Sequence, residues 1–150
     1  AAMAIYSLLS SLVLIASVVI SGCLTSKGEI PIGQILVGSF VCWLASLALI
    51  PIQLWAATWR GVFLSIGVAF AGMIAGVLAA PSDFWYALPW SWATRLMCPI
   101  IGVHPNGTLL EAGNKLLDTS VIPVGMILSV VLFLVLTMVT GVWLCRREIK

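Results

Sequence analysis

Apolar positions along this chain come in long unbroken runs rather than in alternation. Residues 1–26, 30–59 and 119–145 contain no Asp, Glu, Lys or Arg, and a fourth charge-free run extends from Gly61 to Ser82. A hydrocarbon core about 30 Å thick needs ~20 residues of helix to cross it, and each run is long enough. No water is present in that layer to satisfy backbone N–H and C=O groups, so the run must satisfy them internally, as a helix does. The pattern predicts an all-α integral membrane protein with four transmembrane helices, at about residues 3–24, 32–54, 61–80 and 121–145 of a single transmembrane domain covering 1–150. Residues 81–120 are left between the third and fourth spans.

Composition sharpens this. The chain is 62% hydrophobic and 8% charged, with mean hydropathy +1.20. Soluble domains carry about 25% charged residues, so a water-facing surface cannot be built from this chain. A net charge of +2 with no basic run gives no footprint for nucleic acid. Cys23, Cys42, Cys98 and Cys145 have neither metal-ligand spacing nor a CxxC pair, and they read as free packing residues. No cofactor or metal is expected. The first run lacks a basic leader and a cleavage site before a soluble domain, so it reads as a span and not as a signal peptide. The chain opens AAMAIYSLL without Met at position 1, which reads either as the interior of a longer protein or as a start at Met3.

Orientation follows from the cations. Trp55, Trp59 and Arg60 form an interfacial belt after the second span, and Arg146, Arg147 and Lys150 follow the last. With an even number of spans both sets fall on one side, which the excess of Lys and Arg on cytoplasmic loops makes the cytoplasmic one. The turn with Lys27, Gly28 and Glu29 and the segment with Arg95 and Lys115 are then outside. Pro51 is expected near the end of the second span, where a missing N–H is easiest to accommodate. In the third span Ser65, Ala69, Gly72, Gly76 and Ala79 recur on one helical face. Small residues let helices approach closely in lipid, so this face predicts a packing seam, either between subunits or inside the bundle.

Residues 81–120 read PSDFWYALPWSWATRLMCPIIGVHPNGTLLEAGNKLLDTS. This is long for a structureless connection and too apolar to lie in water. Phe84, Trp85, Tyr86, Trp90 and Trp92 fall within nine positions, and such rings favour the bilayer interface. Pro81, Pro89, Pro99 and Pro105 divide the segment into pieces too short to cross. Two short re-entrant or interfacial helices are predicted before the last span: Ser91–Ile101, and an amphipathic one over Thr108–Leu117. A turn at His104-Pro105-Asn106-Gly107 joins them. Asn106-Gly107-Thr108 is formally a glycosylation acceptor, although three-residue matches of this kind arise often by chance. A lone His beside a turn is more often a surface hydrogen-bonding residue than a ligand. Arg95, inside an apolar run, must snorkel, pair with Asp83 or Glu111, or face a wet cavity.

Several chemistries have no residues to carry them. The chain has no Gly-rich phosphate loop, no HExxH and no clustered carboxylates. No ionisable residue sits mid-span, where ion-coupled carriers usually keep one. Enzyme, proton pump and charged-ring channel are therefore disfavoured. A scaffold remains, or a transporter whose energy arrives from another chain.

The string FWYALPWSWATRLMCPIIGVHPNG, Phe84 to Gly107, resembles the external segment of lantibiotic self-immunity permeases, which belong to the type-2 export class of ABC transporters. There an aromatic-Pro-Trp-Ser/Thr-Trp-x-x-Arg-Leu run precedes a His-Pro-Asn-Gly turn. The matching residues are Pro89, Trp90, Ser91, Trp92, Arg95, Leu96, His104, Pro105, Asn106 and Gly107. The resemblance implies a permease subunit in a bacterial cytoplasmic membrane that expels a lantibiotic or similar cationic antimicrobial peptide. It further implies a second, related permease subunit and cytoplasmic ATPase subunits, with no catalysis in this chain. Trp85, Trp90, Trp92, Arg95, His104 and Asn106 become the implied substrate-binding residues. Family members have six spans, so this chain would correspond to the carboxy-terminal four, without the cytoplasmic coupling segment. The alternative is a structural four-helix subunit of a larger membrane complex.

Overall fold

Each charge-free run becomes helix. The computed structural model describes residues 2–25 and 31–148, and the turn around Lys27, Gly28 and Glu29 lies outside the described residues. The helices are α1 (Ala2–Thr25), α2 (Ile32–Ser46), α3 (Leu49–Arg60), α4 (Val62–Ala79), α5 (Pro89–Ile101) and α6 (Val121–Glu148). Four segments are long and apolar enough to cross a membrane: Ala2–Leu24, Ile32–Arg60, Val62–Ala79 and Val121–Trp143. The shortest has 18 residues and measures about 27 Å at 1.5 Å per residue, close to the thickness it must cross. Val13, Ile20, Phe63, Phe70, Leu134 and Met138 stand exposed along these helices, where lipid would cover them. The chain is an all-α, multi-pass membrane protein.

The second span runs past its expected end at 54 to Arg60, with an irregular turn between α2 and α3. Pro51 explains the irregularity. It has no N–H to offer the Leu47 carbonyl, four residues back. That carbonyl instead accepts from Ile50 N at 3.1 Å, and Leu47 N in turn donates to Leu44 O at 3.3 Å. Leu47 and Ala48 keep helical dihedrals, so the ladder tightens without breaking. Trp55 stacks on Trp59 at 5.2 Å, and the Arg60 guanidinium lies 5.1 Å from the Trp59 ring centre. Gly61, at φ +83°, then reverses the chain straight into α4, a conformation in which a Cβ is strained. Ser65 Oγ donates to Gln53 Oε1 at 2.6 Å and ties α4 back to α3.

The short helix α5 is the hub, and three spans carry glycines where it lies. A Cβ on Gly76 of α4 would fall 2.7 Å from the Trp90 backbone, and one on Gly72 would overlap the Trp90 indole. A Cβ on Gly125 of α6 would come within 2.7 Å of Leu96, and one on Gly38 of α2 within 3.2 Å of Met97. Around these approaches lies a core of Val41, Ala45, Ala48, Trp92 and Leu96. The predicted small-residue face of α4 is thus an intramolecular seam at Gly72 and Gly76. Gly72 is seven residues from the end of α4, so the Trp90 indole reaches about 10 Å along that helix. α1 packs chiefly on α2, where Trp43 Nε1 donates to Ser7 Oγ at 3.1 Å.

Candidate functional site

Residues 81–120 close one end of the bundle, and their local chemistry dictates their path. After α4 a single 3-10 turn, Trp85–Ala87, leads into α5. Pro89 opens α5, where its missing N–H costs nothing, and Gly102 at φ +67° ends it. The Ser91 hydroxyl donates to the carbonyls of Trp85 and Leu88. The Trp92 indole N–H donates to Tyr86 O at 3.1 Å. These bonds fasten the 3-10 turn to the helix.

The turn expected at 104–107 forms. Gly107 N donates to His104 O, and His104 N to Thr108 O, both at 2.8 Å. Pro105 and Asn106 occupy the turn centre, with Gly107 at φ +88°, an arrangement that suits a Pro-x-Gly turn. Asn106 Oδ1 accepts from Thr108 N and Thr108 Oγ1, and His104 Nδ1 from Asn106 N at 3.4 Å. The helix expected over Thr108–Leu117 does not form. Val103 instead pairs with Leu109 in an antiparallel bridge, and Leu110 N donates to Gly102 O at 2.9 Å. That hairpin uses the backbone groups a helix would need. Gly113 then sits at φ +91°, and the Asn114 side chain caps Leu116 N. A single 3-10 turn, Lys115–Leu117, is all that remains.

The six residues implied by the resemblance fall into two groups. Trp85, Trp90, Trp92 and Arg95 come together on and beside α5 and face inward. Trp92 is 3% exposed and Arg95 5%; Trp90 covers Gly72 and Gly76, and Trp85 packs on the core. His104 and Asn106 sit apart, in the hairpin. Outward-facing rings belong instead to Phe84, 71% exposed, and Tyr86, 51% exposed. Both belong to the aromatic cluster expected at the interface, but neither is among the substrate-binding residues that the resemblance implies.

Arg95 bonds neither Asp83 nor Glu111. Its Nη1 donates to Leu116 O at 3.0 Å and its Nη2 to Lys115 O at 3.3 Å. The guanidinium therefore clamps the 115–117 turn onto α5. Beside it lies a cavity of about 340 Å³ with a mixed-charge lining that includes Asp83, Lys115 and Asp118. The Asp118 carboxyl accepts from Ser120 N at 2.9 Å and Ser120 Oγ at 2.8 Å. Those bonds, with the nearby Arg95 charge, hold it below the usual carboxylate range. Among the described residues no group of three or more His, Cys, Asp or Glu is placed to hold a metal ion.

Comparison with family models, with curated proteins and with solved structures finds no match. The likeness to immunity permeases rests on the residues quoted for it alone.

Proposed function

We propose that the chain is a permease subunit of a bacterial ABC exporter, clearing a lantibiotic or similar cationic antimicrobial peptide from the cytoplasmic membrane. ATP hydrolysis lies in a partner chain, a second permease subunit completes the pathway, and residues 81–120 face outward with the carboxy terminus in the cytoplasm. The observation that carries this reading is the short helix α5, set with its aromatic and proline-broken flanks against one end of the spans. A cationic amphipathic peptide lodges at the headgroup level, where aromatic rings also settle. In this reading Phe84, Tyr86 and Asn106, all exposed, meet the cargo. Trp90, Trp92 and Arg95 hold the platform in shape. Spans without a mid-membrane charge agree with energy supplied from another subunit.

The test is purification from the native host in mild detergent, followed by identification of what accompanies the chain. An ATPase and a second permease are expected. Recovery alone would sink the proposal. A double Phe84→Ala, Tyr86→Ala variant should lower tolerance to the exported peptide at normal protein level, and unchanged tolerance would remove these rings from the cargo path. A structural four-helix subunit is the second reading, favoured by the internal contacts that Trp90, Trp92 and Arg95 make. Co-purification with an unrelated membrane assembly would put it first.

A further inference from the structure

We propose that the cavity between the end of α4, the 115–117 turn and the start of α6 binds the headgroup of a zwitterionic phospholipid bearing a primary ammonium, of the phosphoethanolamine type. Its lining carries both signs of charge, Arg95 and Lys115 with Asp83 and Asp118, and includes Trp85 and Val121. Arg95 is the built part of the site. It is 5% exposed, and its two hydrogen bonds go to the neutral carbonyls of Lys115 and Leu116. A guanidinium has five N–H donors, so it retains capacity for an anionic oxygen, which it would engage with charge-assisted bonds. Elsewhere in the lining the Asp118 carboxylate is oriented by Ser120. An ammonium near Asp83 and Asp118 would offset part of their negative charge, and a phosphate beside Arg95 and Lys115 part of their positive charge.

Size and position agree. About 340 Å³ is near the lower end of the ~300–1,000 Å³ range of small-molecule sites, enough for a headgroup and too little for a folded peptide. The cavity lies where apolar α4 and α6 give way to polar chain, the depth at which headgroups lie beside a spanning helix. A choline headgroup matches the phosphate but has no N–H for the carboxylates. A glycerol headgroup matches the phosphate and leaves both carboxylates without a cation.

The inference needs only the membrane location and stands or falls apart from the transport reading. The full chain, purified in mild detergent, would be mixed with equal amounts of phosphatidylethanolamine, phosphatidylcholine and phosphatidylglycerol. Retained lipid would then be counted by native mass spectrometry. One phosphatidylethanolamine should be retained, at least about tenfold over the other two, a ratio within what one charge-assisted hydrogen bond supplies. A double Asp83→Asn, Asp118→Asn variant alters exposed side chains and leaves the Arg95 clamp in place. It should lose the preference for phosphatidylethanolamine over phosphatidylcholine. Lys115→Glu should weaken retention of all three lipids. Equal retention of the three lipids, preference for phosphatidylglycerol, or an unchanged preference in the Asp double variant would overturn the site. Displacement by sub-millimolar soluble phosphoethanolamine would assign the cavity to a free metabolite and overturn the lipid.

Discussion

At the scale of single residues, the absent side chain of glycine matters as much as the large ones beside it. Gly67 and Gly76 both lie in α4, yet a Cβ on Gly67 meets nothing within 4 Å while one on Gly76 meets the Trp90 backbone at 2.7 Å. Backbone cannot swing aside as a flexible side chain can. Gly76→Ala should therefore cost roughly 1–3 kcal/mol, the usual range for overpacking, read as a lower unfolding temperature in detergent. Gly67→Ala should leave that temperature unchanged or slightly higher, because helix propensity favours Ala. Equal effects at the two positions would contradict the seam. Asp118 makes a residue-scale prediction about pH. Its folded pKa is depressed by Ser120, so its contribution is complete above the ordinary carboxylate value and is lost as pH falls through the lower folded one. The carboxyl carbon resonance of Asp118 should titrate below that ordinary value. Ser120→Ala should move its midpoint upward, since it removes the hydroxyl donor and keeps the N–H.

At the scale of elements, hydrogen-bond accounting decides where the sequence pattern is obeyed. The second span reads as one apolar run, and one missing donor at Pro51 suffices to tighten its middle into 3-10 geometry. Pro51→Ala should restore an α-helical bond from residue 51 N to Leu47 O. Hydrogen exchange would show protection at that new amide, and a fast-exchanging amide would mean that packing, not the proline, sets the turn. The stretch Thr108–Leu117 shows the reverse case. Its leucines suggested an amphipathic helix, but Gly107, Gly113 and Asn114 impose turns, and the bridge of Val103 to Leu109 claims the local backbone. Propensity over ten residues lost to specific turn chemistry.

At the scale of the whole molecule, one span, α6, separates the hairpin at 104–107 from the carboxy-terminal end of α6, so the two fall on opposite faces of the membrane. In cells, an impermeant thiol reagent should label Asn106→Cys, in a Cys23→Ser background, without permeabilisation. Cys145, exposed on α6, should label only after it. The reverse pattern would invert the orientation. Lipid-facing apolar surface surrounds the bundle on α1, α4 and α6, while the core is concentrated around α5. The molecule is thus organised about a helix that does not cross it.

The spans were legible in the sequence because the cost of an unsatisfied backbone group or a charge in hydrocarbon leaves little choice over twenty residues. The turn at Pro105-Asn106-Gly107 was legible for a local reason, the conformational preferences of those three residues. The small-residue face of α4 could be read, but not what fills it, since helical spacing places Gly72 and Gly76 on one side without naming the neighbour. Gly38 and Gly125 gave no periodic signal at all. Only the fold shows that they receive Met97 and Leu96. Arg95 is the sharpest case. Sequence made it a cation in need of a partner and offered two carboxylates, and the tertiary structure assigned it the carbonyls of Lys115 and Leu116. Composition and periodicity constrain a residue's environment in general, because they act through solvent and local backbone. Which partner occupies that environment depends on contacts between elements distant in the chain, and those exist only once the helices have packed.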